Sequence, residues 1–207
     1  MAPRYEDSVF LNVPFDRHYE PLLRALVYTV HDCGLLARCA REIEDSGQVR
    51  FEKIYELIRA SRHGVHDLSR TSLDRAHGLP RFNMPLELGV FLGARKFGSR
   101  EQKDKSCLIL DRDSHRYLTF CSDLAGHDVR AHGNRRERLI GGVRDWFSNQ
   151  LLARGFQIPS GSHMVDRYRH FQADVPATCS RLRLVPRELT FNEHRNLVVA
   201  WLQKNPW

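Results

Sequence analysis

The 207-residue chain predicts an α/β fold: a flavodoxin-like, doubly wound parallel sheet of order 2-1-3-4-5 carrying a C-terminal helical appendage. Two observations predict it. Short apolar runs alternate with segments of helical period, giving β-α-β-α-β-α-β and a further helix, the pattern of a parallel sheet covered on both faces. After residue 151 that alternation stops and only helical patterns remain.

Ser8-Val-Phe-Leu-Asn-Val13 reads as a buried strand, ended by Pro14-Phe-Asp16, since proline cannot continue a central ladder. A helix is expected over 19–33, with Leu22, Leu23, Leu26, Val27 and Val30 inward and Gly34 at its stop. A second strand covers 35–39 and a polar loop 41–47. Phe51, Ile54, Tyr55 and Ile58 fall at i, i+3, i+4 and i+7, one helix face. A third strand covers 64–67, and a long polar connection runs over 68–80, well beyond the usual loop of about 4–6 residues.

The next helix is expected over 85–96, with Pro85 near its first position. A strand over 106–110, a short strand over 128–131 and a helix over 135–151 complete the sheet domain, 1–150. That last helix carries Leu139, Val143, Trp146 and Phe147. Ile158-Pro-Ser-Gly161 reads as a linker. The remainder, 151–207, shows three short helical patterns, 163–173, 175–182 and 190–204. This appendage is expected to pack on the sheet domain, or to join a second copy in a homo-oligomer or a partner protein.

Composition narrows the function classes. Hydrophobic residues make up 42% and charged residues 28%, ordinary globular values. No stretch approaches 18 apolar residues, so no membrane span is expected, and the first residues lack a signal peptide's apolar core, which predicts a cytoplasmic protein. Five cysteines without a C-x-x-C pair fit reduced thiols, and the scattered histidines predict no metal site. The net charge of +7 is diffuse: residues 151–207 hold eight basic and four acidic side chains, and 1–150 hold 24 and 21. A nucleic-acid binder would concentrate it, so anionic small molecules are the expected partners.

Ligands of such sheets lie beyond the carboxyl ends of the strands where strand order reverses, here between strands 1 and 3. That rule collects Asn12, Phe15 and Asp16 after strand 1, and Asp67, Ser69 and Arg70 after strand 3. Phe15 is a stacking face for a base or a core residue. Asp16 is a ribose ligand or the cap of the following helix. Asp67 is a reacting acid or a loop cap, and Ser69 and Arg70 are phosphate or ribose ligands or solvated loop residues. Ser122 and Asp123, after strand 4, are site residues or a turn. Glu87 is expected in the first turn of its helix, where the dipole lowers the pKa of an acid. It is a nucleophile or cation stabiliser, with Asn83 orienting it, or a helix-terminal acid with Asn83 as cap. Gly89 is expected to let a ligand or strand come close. No P-loop, G-x-G-x-x-G or G-x-S-x-G motif is present.

Five segments then align with one family. Val9-Phe-Leu-Asn-Val-Pro-Phe-Asp16, Asp45 and Gly47 followed by Lys53-Ile54 and Ile58, Val65-His-Asp-Leu-Ser69, Asn83-Met-Pro-Leu-Glu-Leu-Gly89 with Lys96 beyond it, and Ser122-Asp-Leu-Ala-Gly126 occur in order. The chain resembles the nucleoside 2-deoxyribosyltransferases and their TIR-like relatives over 9–132. The resemblance implies that Glu87 attacks or stabilises an anomeric carbon, as in retaining glycoside cleavage. It also implies that Asp67 contacts the base or ribose and that Asn83 positions Glu87. Arg70, Arg75 and Arg81 exceed what a neutral nucleoside needs, which points to a nucleotide or NAD as substrate, with no cofactor. The TIR-like side of the resemblance implies phage defence. The alternative it leaves open is a nucleotide-sensing module that signals through its helical tail.

Overall fold

The computed structural model describes residues 4–71 and 82–207. Among them the elements run β1 (Ser8–Asn12), α1 (Glu20–Asp32), β2 (Leu36–Arg38), α2 (Arg50–Arg59), β3 (His63–Asp67), α3 (Asn83–Phe97), α4 (Arg100–Lys103), β4 (Ser106–Asp111), β5 (Val129–Ala131), α5 (Arg136–Leu152), α6 (Gly161–Leu182) and α7 (Phe191–Lys204). The strands form one parallel sheet in the order β2-β1-β3-β4-β5, the doubly wound arrangement the alternation predicts.

The pleat sorts the side chains. Val9, Leu11, Val65, Leu108 and Leu110 face α1 and α5, packing on Leu26, Val30, Val143 and Phe147. Phe10 meets Ile54, Ile58 and Phe91 of α2 and α3 on the other side, and Ile109 meets Met84 and Leu88. Gly64 is required there. A Cβ on it would stand 2.7 Å from the Phe91 ring and 2.6 Å from His66 Nε2, so only glycine lets α3 lie this close to β3.

The helical appendage continues the first core. Tyr28 of α1 packs on Tyr168 and Phe171 of α6 at centroid distances of 5.1 and 5.3 Å. Arg167 of α6 reaches the buried Asp32 carboxylate at 3.0 Å and the Asn205 carbonyl at 2.9 Å, tying α6 to the end of α1 and to the end of α7. Residues 158–161 are not a loose linker: Ile158 is buried, Arg144 donates to its carbonyl at 2.9 Å, and Ser160 caps α6.

Three local expectations are corrected. The patterns over 163–173 and 175–182 are one helix, α6, with Pro176 inside it. Proline in a helix interior costs about 3 kcal/mol; burial of Tyr168 and Phe171 before it and Cys179 after it holds the helix through. The inner face of α2 carries Lys53, Ile54, Leu57 and Ile58, whereas Tyr55 is exposed and leans on Phe51 at 4.6 Å. Lys53 is buried because its ammonium donates to the Ile43 and Asp45 carbonyls of the preceding loop, a stem-in, head-out arrangement. Finally, α3 starts two residues earlier than Pro85 suggests. Pro85 is its third residue, still in the first turn where amide groups have no helical partner. No described helix is long and apolar enough to cross a membrane.

Candidate functional site

Parallel pairing in register brings the carboxyl ends of the strands to one edge: Asn12 pairs beside His66, Asp67 beside Leu110 and Asp111 beside Ala131. Each of these strands ends on a buried polar residue, namely Asn12, Asp67, Asp111 and, one residue past β5, His132. Pleat alternation divides them between the two faces of the sheet.

Asp67 points to the α1 and α5 face. Its Oδ2 accepts a 2.6 Å bond from the Tyr19 hydroxyl and its Oδ1 a 2.8 Å bond from the Ser69 amide. His132 Nε2 stands 3.0 Å from Oδ2, off the line of a straight hydrogen bond. The Asn134 amide donates to His132 Nδ1 at 3.0 Å, which leaves the ring proton on Nε2, toward the carboxylate. Burial pushes the Asp67 pKa up, but His132, the Ser69 amide and the Tyr19 hydroxyl outweigh it and hold the carboxyl below its ordinary value. Burial and the adjacent Asp67 charge push the Tyr19 phenol well above its own. Asp67 is therefore an anion already engaged on both oxygens.

Asp111, two residues past Ile109, falls on the other side of the pleat and is tied to the β3 loop through Arg116. Its Oδ1 accepts from Arg116 at 2.7 and 2.9 Å and from the Arg112 amide at 2.6 Å, while Arg116 also donates to the Leu68 carbonyl at 2.5 Å. Burial nevertheless raises the Asp111 pKa, against the pull of Arg116.

The rest of the α2 and α3 face differs from the surroundings of Asp67. Asn12 Nδ2 donates to the Met84 carbonyl at 2.8 Å and to His66 Nδ1 at 3.0 Å, fastening the first turn of α3 to β1. His66 lies against Phe91 at 4.8 Å, and burial lowers its pKa to about 3, so it is neutral. Glu87, on the same inner side of α3 as Met84, Leu88 and Phe91, is 6% exposed. Burial raises its pKa to about 7, opposed by Arg50 at the start of α2. This reverses the sequence expectation of a lowered pKa. With α3 beginning at Asn83, Glu87 is its fifth residue, past the turn where the dipole acts, and desolvation decides.

Arg50 in turn stands 6.0 Å from the centre of the Phe15 ring, and Arg41 stands 4.6 Å from it. Arg41 also donates to the Phe15 carbonyl at 2.6 Å. Asp16 Oδ1 accepts from the His18 and Tyr19 amides, and its Oδ2 binds Arg70 at 3.0 Å, so this ion pair spans the switch point between the β1 and β3 loops.

The structure thus gathers Asn12, Phe15, Asp16 and Arg70 around the switch point, and Glu87 is linked to them through Arg50, which acts on its pKa and stands over Phe15. Asp67 lies on the other face from Glu87, with its own set of donors. Ser69 is buried with its Oγ unpartnered. Asn83 is the exposed first residue of α3, and no side chain caps that helix. Gly89 faces open space rather than a neighbouring strand. Ser122 and Asp123 are exposed on a 3-10 turn, with no described hydrogen bond to the other candidates. Arg75 and Arg81 lie outside the described residues.

Sequence reading missed Tyr19, Arg41, Arg50, Asp111, Arg116 and His132. Asp111 carried a usable signal, since it ends an apolar strand as Asp67 does. Among the described residues no group of three or more His, Cys, Asp or Glu is arranged to hold a metal. No family model, curated protein or solved structure matches the chain.

Proposed function

We propose that this protein cleaves or transfers the N-glycosidic bond of a nucleotide or NAD, with Glu87 as the reacting carboxyl. The observation that supports this best is the setting of Glu87: a buried carboxyl with its pKa at about 7, beside the strand-end switch point and next to a cation–aromatic pair. A carboxyl that ionises near neutrality changes charge readily during a reaction, and such groups concentrate at functional sites. Ionised Glu87 attacks the anomeric carbon, or stabilises the oxocarbenium ion, as the base departs with the bonding electrons. Water or a second base then displaces the carboxylate. Phe15, with Arg41 and Arg50 at 4.6 and 6.0 Å from its ring centre, supplies an aromatic and cationic surface to the base and phosphate. Asp16 and Arg70 offer polar groups to ribose and phosphate. Asp67 is a positioning residue in this scheme, since both its oxygens are occupied. The resemblance to deoxyribosyltransferases and TIR-like proteins agrees with these roles.

One observation favours a second reading, a nucleotide-sensing module. Helix α1 begins beside Tyr19 and Asp67 and ends on Arg167, so a ligand at the strand ends has a rigid connection to α6 and α7. The two readings part on turnover. Incubation with nucleosides, nucleotides and NAD, followed by chromatography for free base, shows release if the first is right and an intact, bound nucleotide if the second is.

A further inference from the structure

A second feature lies on the Asp67 side of the same edge. A cavity of about 350 Å3 opens between the start of α1 and the start of α5, lined by His18, Tyr19, Arg70, Asn134 and Arg136, together with the apolar Pro21 and Leu22. Among the described residues no acidic side chain lines it. Two guanidinium groups border it from elements 66 positions apart in sequence, and neither is locked away. Arg70 is 45% exposed in its pair with Asp16, and Arg136 is exposed, with a long 3.5 Å contact to Gln172 and Tyr168 nearby.

The backbone adds to this charge. Gly133 and Asn134 are both left-handed, with φ of 58° and 56°, and this turn delivers the first residue of α5, Arg136, to the cavity wall. No side chain caps α5, so its first amide groups are open to an outside acceptor. The Asp67 carboxylate under the floor is covered by Tyr19, the Ser69 amide and His132, and does not face the cavity bare.

We infer that this cavity takes the phosphate or pyrophosphate of the ligand, and so selects nucleotides over nucleosides. The inference rests on the reading of the rim as a nucleotide site. The base and sugar lie toward Phe15 and Glu87. The phosphate crosses the Asp16–Arg70 bridge and sits between Arg70, Arg136 and the start of α5, where charge-assisted hydrogen bonds and the helix dipole act together. The volume accommodates a diphosphate with its water.

Calorimetric titration of the full chain with inorganic pyrophosphate, AMP and adenosine tests it, in the wild type, Arg136→Ala, Arg136→Lys and Glu87→Gln. Pyrophosphate is expected to bind the wild type, and AMP to bind the Glu87→Gln chain in which turnover is blocked, both more weakly as salt rises. Arg136→Ala should weaken both by about tenfold or more and leave adenosine within about twofold, with Arg136→Lys recovering part of the loss. Unchanged pyrophosphate and AMP binding in Arg136→Ala overturns the subsite, as does a wild type that binds adenosine but not pyrophosphate. Pyrophosphate binding without base release from any substrate overturns the glycosidase reading and leaves the subsite standing. Base release from nucleosides without pyrophosphate binding does the reverse.

Discussion

Asp67 and Glu87 stand near the same edge of the sheet on opposite faces, and the chain treats them in opposite ways. Around Asp67, three separate segments deliver donors: Tyr19 from the start of α1, the Ser69 amide from the β3 loop, and His132 from the end of β5. Desolvation of this acid is more than offset, so it stays ionised and joins those segments. Around Glu87 the neighbours are the apolar side of α3 and the guanidinium of Arg50, and desolvation wins. The comparison teaches that burial alone does not mark a reacting acid. A buried acid whose two oxygens both hold donors is part of the scaffold. One that burial holds near neutrality has a charge left to change.

The largest effect expected from breaking this contrast is on folding, at Asp67. Asp67→Ala leaves the Tyr19 hydroxyl, the Ser69 amide and the His132 ring buried without their anion. It should cost about 3–5 kcal/mol in urea unfolding, because three buried donors lose their acceptor at about 1–3 kcal/mol each. A loss below about 1 kcal/mol would show that Asp67 does not join those segments.

A smaller effect, and of opposite sign, is expected at Glu87. Its folded pKa is raised from 4.5 to about 7, so its favourable contribution is complete below pH 4.5 and is lost as pH rises through 7. Glu87→Gln has no such loss. Relative to wild type it should gain about 2–3 kcal/mol between pH 4.5 and pH 8, read as the difference in unfolding free energy across that range. A pH-independent difference would mean that Glu87 is solvated.

The smallest effect sharpens the account of the Asp67 layer. Tyr19→Phe removes one hydrogen bond to Asp67 while keeping the ring, and should cost about 1–2 kcal/mol. It should also bring Asp67 closer to an ordinary carboxyl pKa, followed by NMR titration. An unmoved Asp67 titration would assign its low pKa to His132 and the Ser69 amide alone.

Much of the fold was legible because it rests on local periodicity: short apolar runs alternate with helical ones, and alternation leaves few ways to build a parallel sheet. The rim was legible for the same reason, since polar residues ending apolar strands must meet at one edge; Asn12, Asp16, Asp67 and Arg70 follow from that rule. What stayed hidden depends on pairing across distance. Nothing near Asp67 in sequence points to Tyr19, 48 positions earlier, or to His132. Arg50 reaches the rim because the buried face of α2 turns through Leu57 rather than Tyr55, a rotation set by Lys53 reaching back to the loop. The Glu87 error came from two residues. Starting α3 at Pro85 puts Glu87 under the dipole, and starting it at Asn83 puts it under desolvation. Pro176 misled in the same way, because its cost was visible in sequence and the flanking burial that outweighs it was not.

The central claim is that Glu87 is the reacting carboxyl of an N-glycosidic site and Asp67 is scaffold. The most direct measurement is chromatography for free base after incubating wild type and Glu87→Gln with nucleosides, nucleotides and NAD. The account expects base release by wild type, rising with pH through about 7 as Glu87 ionises, and loss of that release by about a thousandfold or more in a folded Glu87→Gln. No release by wild type from any of these substrates, or equal release by Glu87→Gln, would contradict it.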